Sequence, residues 1–144
     1  MNDCPVYRAE RAAMRLHPAF TAVVPDAQAF VDWTCNSASS LFSRLRWRGR
    51  APTAHAHVTV GPGSGTWRSC LGMANIAEQH IELNPGVPPT QLTLLHEIAH
   101  LTLGEDEGHS VRFAAHLIDL VREWLGDHSA SILLRELQRQ EVGL

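Results

Sequence analysis

The sequence predicts a small α+β domain, with helices at both ends and a short, mainly antiparallel three-stranded sheet between them. Three observations point that way. Apolar residues recur at helical spacing near the N-terminus and again beyond residue 90. Between residues 54 and 83 that spacing gives way to alternation broken by glycine-rich turns. A length of 144 residues with 44% hydrophobic content supplies one core, so a single domain over residues 1–144 is expected.

Pro5 to Leu16 reads as a helix that packs through Val6, Ala9, Ala13 and Leu16. A second helix opens at Pro25 or Asp26, with Ala29, Phe30, Trp33 and Leu41 as buried positions and the polar run from Asn36 to Ser40 as an interruption. From Ala54 to Val60, His55, His57 and Thr59 alternate with Ala56, Val58 and Val60, the period of a strand. The turn GPGSG at Gly61 to Gly65 then reads as a hairpin into a second strand, Trp67 to Asn75, and Glu78 to Leu83 is the third. A helix follows from about Thr90 to Leu103: Pro88 and Pro89 suit its first turn, Thr90 can cap it and Gly104 stops it. After the polar turn Glu105, Asp106, Glu107 and Gly108, Ser110 can cap a further helix that runs to about Leu125, ahead of Gly126.

The chemistry concentrates in His96-Glu97-Ile98-Ala99-His100. Residues four apart share a helix face, with Cβ atoms roughly 5–6 Å apart, so His96 and His100 can grip one metal ion. Leu92, Leu94, Leu95, Ile98, Ala99, Leu101 and Leu103 surround the motif and predict a buried helix. Burying two imidazoles and a carboxylate without partners costs several kcal/mol, and a metal satisfies them together. Glu97 then stands beside the ion, placed to take a proton from activated water and pass it to a leaving group. Chance alone yields such a pattern in about one chain in thirty of this composition, so the buried setting counts as much as the motif.

Zn2+ is the expected ion, and a catalytic zinc takes three protein ligands, leaving a fourth position open. His109, behind a glycine turn, is the first choice for the third ligand; Glu105, Asp106, Glu107 and Glu123 stay open as alternatives. Tyr7, Arg112 and His116 are candidate donors to a developing oxyanion. His55 and His57 read as solvent-facing strand positions outside the site.

Charge and composition exclude other classes. A net charge of −3 argues against a surface built throughout for nucleic acid or anionic membrane. No run of apolar residues approaches a membrane span, and MNDCPVYRAERAAMR is too polar for a signal peptide. Cys4, Cys35 and Cys70 form no pair pattern, each reading as a small buried hydrophobe, so a cytoplasmic setting is expected. All 12 basic residues are arginines, a bias expected of a genome rich in G and C. Arg44, Arg46, Arg48 and Arg50 occupy every second position around Trp47, a row that could make weak nucleic-acid contact, although a solvated face is the simpler reading.

HEIAH, followed after eight residues by His109 of HSVRF, resembles the SprT-like, WLM and YgjP-type zinc metallopeptidases. VYRAE, IELNPG, LLHEIAH and EGHSVRFAAHL together resemble a family of small zinc metallohydrolases from actinobacteria and their phages, over about Val6 to Gly126. The resemblance implies a minimal zincin-like fold and a peptide or protein substrate. It implies His96, His100 and His109 as zinc ligands, Glu97 as general acid and base, and Phe113 as a core residue holding the helix behind the third ligand. It also implies an edge strand beside the active-site helix that pairs with extended substrate; Trp67 to Asn75 is the expected edge, and Gly72 either permits close backbone approach or is a simple bulge. The chain departs from many SprT proteins in lacking a cysteine-rich ribbon, so no second, structural zinc is expected. It departs from the metzincins in placing Leu103 and Asp106 where their glycine and third histidine stand, and Met1, Met14 and Met73 all precede the motif. Two other classes stay open: a metal-dependent hydrolase of RNA, as in YbeY endoribonucleases, which lack the HExxH glutamate, and a metal-binding module without turnover.

Overall fold

The computed structural model describes residues 4–37, 56–61, 71–103 and 108–144. The arginine row at Arg44, Arg46, Arg48 and Arg50, together with Leu41, His55, Trp67, Gly104 and the acidic turn Glu105 to Glu107, lies outside the described residues. The elements are α1 (Pro5–Leu16), α2 (Pro18–Thr21), α3 (Ala27–Ser37), β1 (His57–Val60), β2 (Gly72–Asn75), β3 (His80–Leu83), α4 (Gln91–Leu103), α5 (Val111–Leu125) and α6 (Asp127–Arg139). They form a small α+β fold. None of the described helices is long and apolar enough to cross a membrane.

α1 starts on Pro5, whose missing N–H costs nothing in a first turn, and buries Val6, Ala9, Glu10 and Ala13. Leu16, expected inside, is 59% exposed, because the helix ends there and Phe20 of the unpredicted α2 fills the core instead. Four residues are too few for α2 to show a helical period. In α3 the Asp26 carboxylate accepts from the Ala29 N–H at 3.0 Å, which sets the helix start. The buried positions are then Val31 and Thr34, with Phe30 half-buried, whereas Ala29 and Trp33 are exposed. Trp33 instead lies edge-on to Trp124 of α5, ring centres 4.5 Å apart.

The sheet order is β1-β3-β2, with β1 parallel and β2 antiparallel to β3. The expected hairpin between the first two strands is therefore replaced by a mixed sheet with the third strand at its centre. Burial explains the choice: Ile81 and Leu83 of β3 are 0% and 3% exposed, while Val60 of β1 and Met73 of β2 are 66% and 48% exposed. The strand with the most to bury takes the middle. Gln28 of α3 covers the outer edge of β1, accepting from the Val58 N–H at 2.8 Å and donating to the Ala56 carbonyl at 2.9 Å. Among the described strands, β2 is outermost on the opposite side.

α4 is buried from Leu92 to Ala99 and again from Leu101 to Leu103, packed between the sheet and α5. Thr90 accepts from the Thr93 N–H at 3.2 Å, the predicted cap. The strand-like segment before α3 holds that cap in place, since the Val24 N–H donates to Pro89 and the Gln91 N–H to Ala22, at 2.9 and 3.1 Å. Ser110 caps α5 as predicted, accepting from the Phe113 N–H at 3.2 Å, and Gly126 ends it. α6 returns along α5 and α1. His17 Nε2, 2.8 Å from Ser129 Oγ, and Arg8 Nε, donating to Gln140 Oε1 at 2.9 Å, tie the N-terminal helix to the C-terminal one.

Candidate metal centre

His96 and His100 lie one turn apart on α4, His96 buried and His100 half-buried. His109 reaches them from the turn before α5. That turn reverses at Gly108, whose φ of +58 is open to glycine at little cost, and the Ser110 cap then commits the chain to helix. The Nε2 atom of His109 lies 3.0 Å from that of His96 and 3.3 Å from that of His100. All three ligand atoms fall within 4.8 Å of one another, and they are the cluster among the described residues able to hold a metal ion. Glu123, an alternative third ligand, is outside that cluster.

These residues fit a tetrahedral metal. Two imidazole nitrogens at about 2.0–2.1 Å from a shared zinc stand roughly 3.3–3.4 Å apart, close to the 3.0 and 3.3 Å that separate His109 from His96 and from His100. Electrostatics treats His100 and His96 differently. His100 has its pKa lowered to about 3 by burial first, then by His96 and His109, so it offers a lone pair across the neutral range. For His96 burial opposes the charged ring, but Glu10, by charge and hydrogen bond, and Glu97 outweigh it, leaving its pKa raised.

Phe113 is the wall behind the cluster. Its fully buried ring stacks on His100, centres 4.3 Å apart and planes 9° from parallel, and lies 4.9 and 5.0 Å from His96 and His109. One side chain thus packs all three rings, a wider role than holding the helix of the third.

Glu97 is 4% exposed and has its pKa raised to about 7, by burial above all and by Glu10, with His96 opposing. Its carboxylate lies against the first residue of β2. A Cβ built on Gly72 would meet Glu97 Cγ at 3.2 Å and Oε2 at 3.4 Å, so Gly72 does permit a close approach, and the approaching group is the glutamate.

Of the three candidate donors, Tyr7 packs against the histidines, stacked on His96 at 5.2 Å and edge-on to His109 at 4.6 Å. Arg112 is exposed on the first turn of α5. His116 is buried behind the site, its Nε2 2.8 Å from Thr102 Oγ1, which itself donates to the Ile98 carbonyl. His57 is exposed on β1, in register with His80 of β3.

The motif gave no sign of Glu10 or Cys4. Glu10 of α1 accepts from His96 Nδ1, and Cys4 Sγ lies 3.3 Å from His109 Nδ1. Cys4 is half-buried and engaged rather than a plain core hydrophobe. For Glu10 one signal was present: a carboxylate between Ala9 and Ala13 stands on the apolar side of an amphipathic helix, where it needs a partner.

Replacing His109 by alanine removes one of three converging nitrogens. The variant is expected to lose more zinc affinity than the 10–100-fold typical of outer hydrogen-bond partners, measured by competition with a chromophoric chelator. Unchanged affinity would mean that His109 is not a ligand.

The chain matches no protein-family model, no curated protein and no solved structure, so the arrangement of His96, Glu97, His100 and His109 is what bears on function.

Proposed function

We propose that this chain is a zinc-dependent metallopeptidase of the HExxH class on a minimal zincin-like fold, with His96, His100 and His109 as ligands and Glu97 as general acid and base. One observation carries the reading: a buried glutamate follows directly on one of three histidines whose ring nitrogens converge. Bound by those histidines, zinc supplies Lewis acidity, polarising a carbonyl oxygen and making water more acidic.

The residues divide the remaining work. Glu97, buried one residue along from the His96 ligand, is placed to take a proton from water and to give it up to a leaving group. His100 stays neutral, and Phe113 holds the rings in place. Tyr7, whose ring packs on His96 and His109, is assigned to the oxyanion.

A peptide is favoured over other substrates by the position of β2. Outermost on its side among the described strands, β2 begins at the residue that meets Glu97, so an extended peptide paired with it by main-chain hydrogen bonds passes beside the general base. Zinc-loaded protein incubated with a mixed peptide pool is expected to yield defined cleavage products by mass spectrometry, abolished by chelation and restored by zinc. Full zinc occupancy without cleavage would favour a different substrate or a binding role.

Gly72→Ala tests the contact with Glu97. The added methyl group requires the glutamate to give by a few tenths of an ångström. Displacements of about 1 Å can cost on the order of 100-fold, so a drop in kcat of about tenfold with zinc affinity intact is expected. Unchanged kcat would show that Glu97 has room to move.

A further inference from the structure

α1 supplies three neighbours to the histidine cluster at successive intervals of three residues: Cys4 at its start, Tyr7 and Glu10. Glu10 makes the most selective of these contacts. His96 is 2% exposed, so bulk water does not reach its ring, and the Glu10 side chain is 9% exposed. A neutral imidazole carries its proton on either nitrogen, and only the form protonated at Nδ1 leaves a lone pair on Nε2. An ionised carboxylate can only accept. Placed on Nδ1, it selects the ring form that has its lone pair on the nitrogen facing His109.

We infer that Glu10 is a positioning residue of the metal centre, fixing the tautomer and orientation of the His96 imidazole so that α1 forms the outer wall of the site. The inference rests on the metal-binding part of the proposed function. Tyr7 adds to it by stacking on the His96 ring, planes 17° apart. α1 is in turn held by α6 through Arg8 and Gln140, and at its C-terminal end through His17 and Ser129. The C-terminal helix thus supports, through α1, a ligand on α4. Carboxylate partners of this kind orient metal-ligating histidines and raise their basicity.

Three variants test the role. Glu10→Ala removes the acceptor. Glu10→Met removes it while filling most of the space, so it avoids the cavity that Glu10→Ala leaves. Glu10→Gln keeps an acceptor without the charge. Zinc affinity, measured against a chelator, is expected to fall 10–100-fold in Glu10→Ala and Glu10→Met and less in Glu10→Gln. Proton NMR of the zinc-loaded protein supplies a readout that loss of stability alone does not move. The His96 Nδ1 proton is expected as an exchange-protected downfield resonance in the wild type and in Glu10→Gln, and to be missing from the other two.

Glu10→Met with wild-type affinity and an unchanged Nδ1 resonance would overturn the positioning role even if Glu10→Ala failed to fold. Wild-type protein that takes up no zinc would overturn the metal-binding reading itself, and this inference with it.

Discussion

Glu97→Gln is expected to abolish turnover while leaving zinc bound, and to make the metal-free protein more stable at pH 8 than the wild type. Loss of a positioned general acid and base costs typically 10²–10⁴ in rate, and glutamine keeps the shape of the side chain without its proton chemistry. The stability effect follows from the raised pKa. Folded Glu97 keeps its proton to about pH 7, against an ordinary value of 4.5. Its favourable contribution is therefore complete below about pH 4.5 and is lost as the pH rises through 7. At pH 8 the buried, ionised carboxylate costs at most about 3 kcal/mol relative to its protonated form. Glutamine cannot ionise. The stability gained by the substitution, measured by urea unfolding of metal-free protein, should grow between pH 5 and pH 8. A gain independent of pH would place Glu97 in the ordinary carboxylate range.

Phe113→Ala is expected to be the most damaging single change to the fold. The ring is fully buried and packs on His96, His100 and His109 together. Removing such a ring typically costs 3–5 kcal/mol, a large part of the roughly 5–15 kcal/mol that holds a domain folded. Zinc affinity should fall as well, because the three imidazoles lose their common wall. Phe113→Leu, which keeps an apolar side chain of similar reach, is expected to retain more of both. Urea midpoints and chelator competition on the two variants measure the pair of effects. A stable Phe113→Ala protein with intact zinc affinity would show that the histidines are positioned by other means.

The sequence pattern anticipates α4, α5 and their caps because the relevant forces are local there: a threonine and a serine each accept from the N–H three residues on, and Gly126 stops the second helix. Sheet order is not local. β1 and β3 become neighbours through residues far apart in the chain, and what decides the order is the depth at which Ile81 and Leu83 sit. Alternation marks a strand without saying which strand is central, hence the expected hairpin and the observed mixed sheet. α3 illustrates a smaller error of phase: Trp33 is large and apolar, yet it covers Trp124 at the surface while Val31 and Thr34 go inside. In the site, the HExxH spacing and the glycine turn before His109 point to the three histidines and to Glu97. For Glu10 the spacing within α1 signals only that a carboxylate on the apolar side needs a partner; that the partner is His96 depends on tertiary packing, in which α1 is held against α6.

If His96, His100 and His109 hold one zinc ion in a preformed site, calorimetric titration of Zn2+ into the metal-free wild type will show one saturable zinc per chain, and His96→Ala, His100→Ala and His109→Ala will each show a marked loss of affinity. A wild type without saturable binding, or three variants that bind as tightly as the wild type, would rule the three-histidine zinc site out.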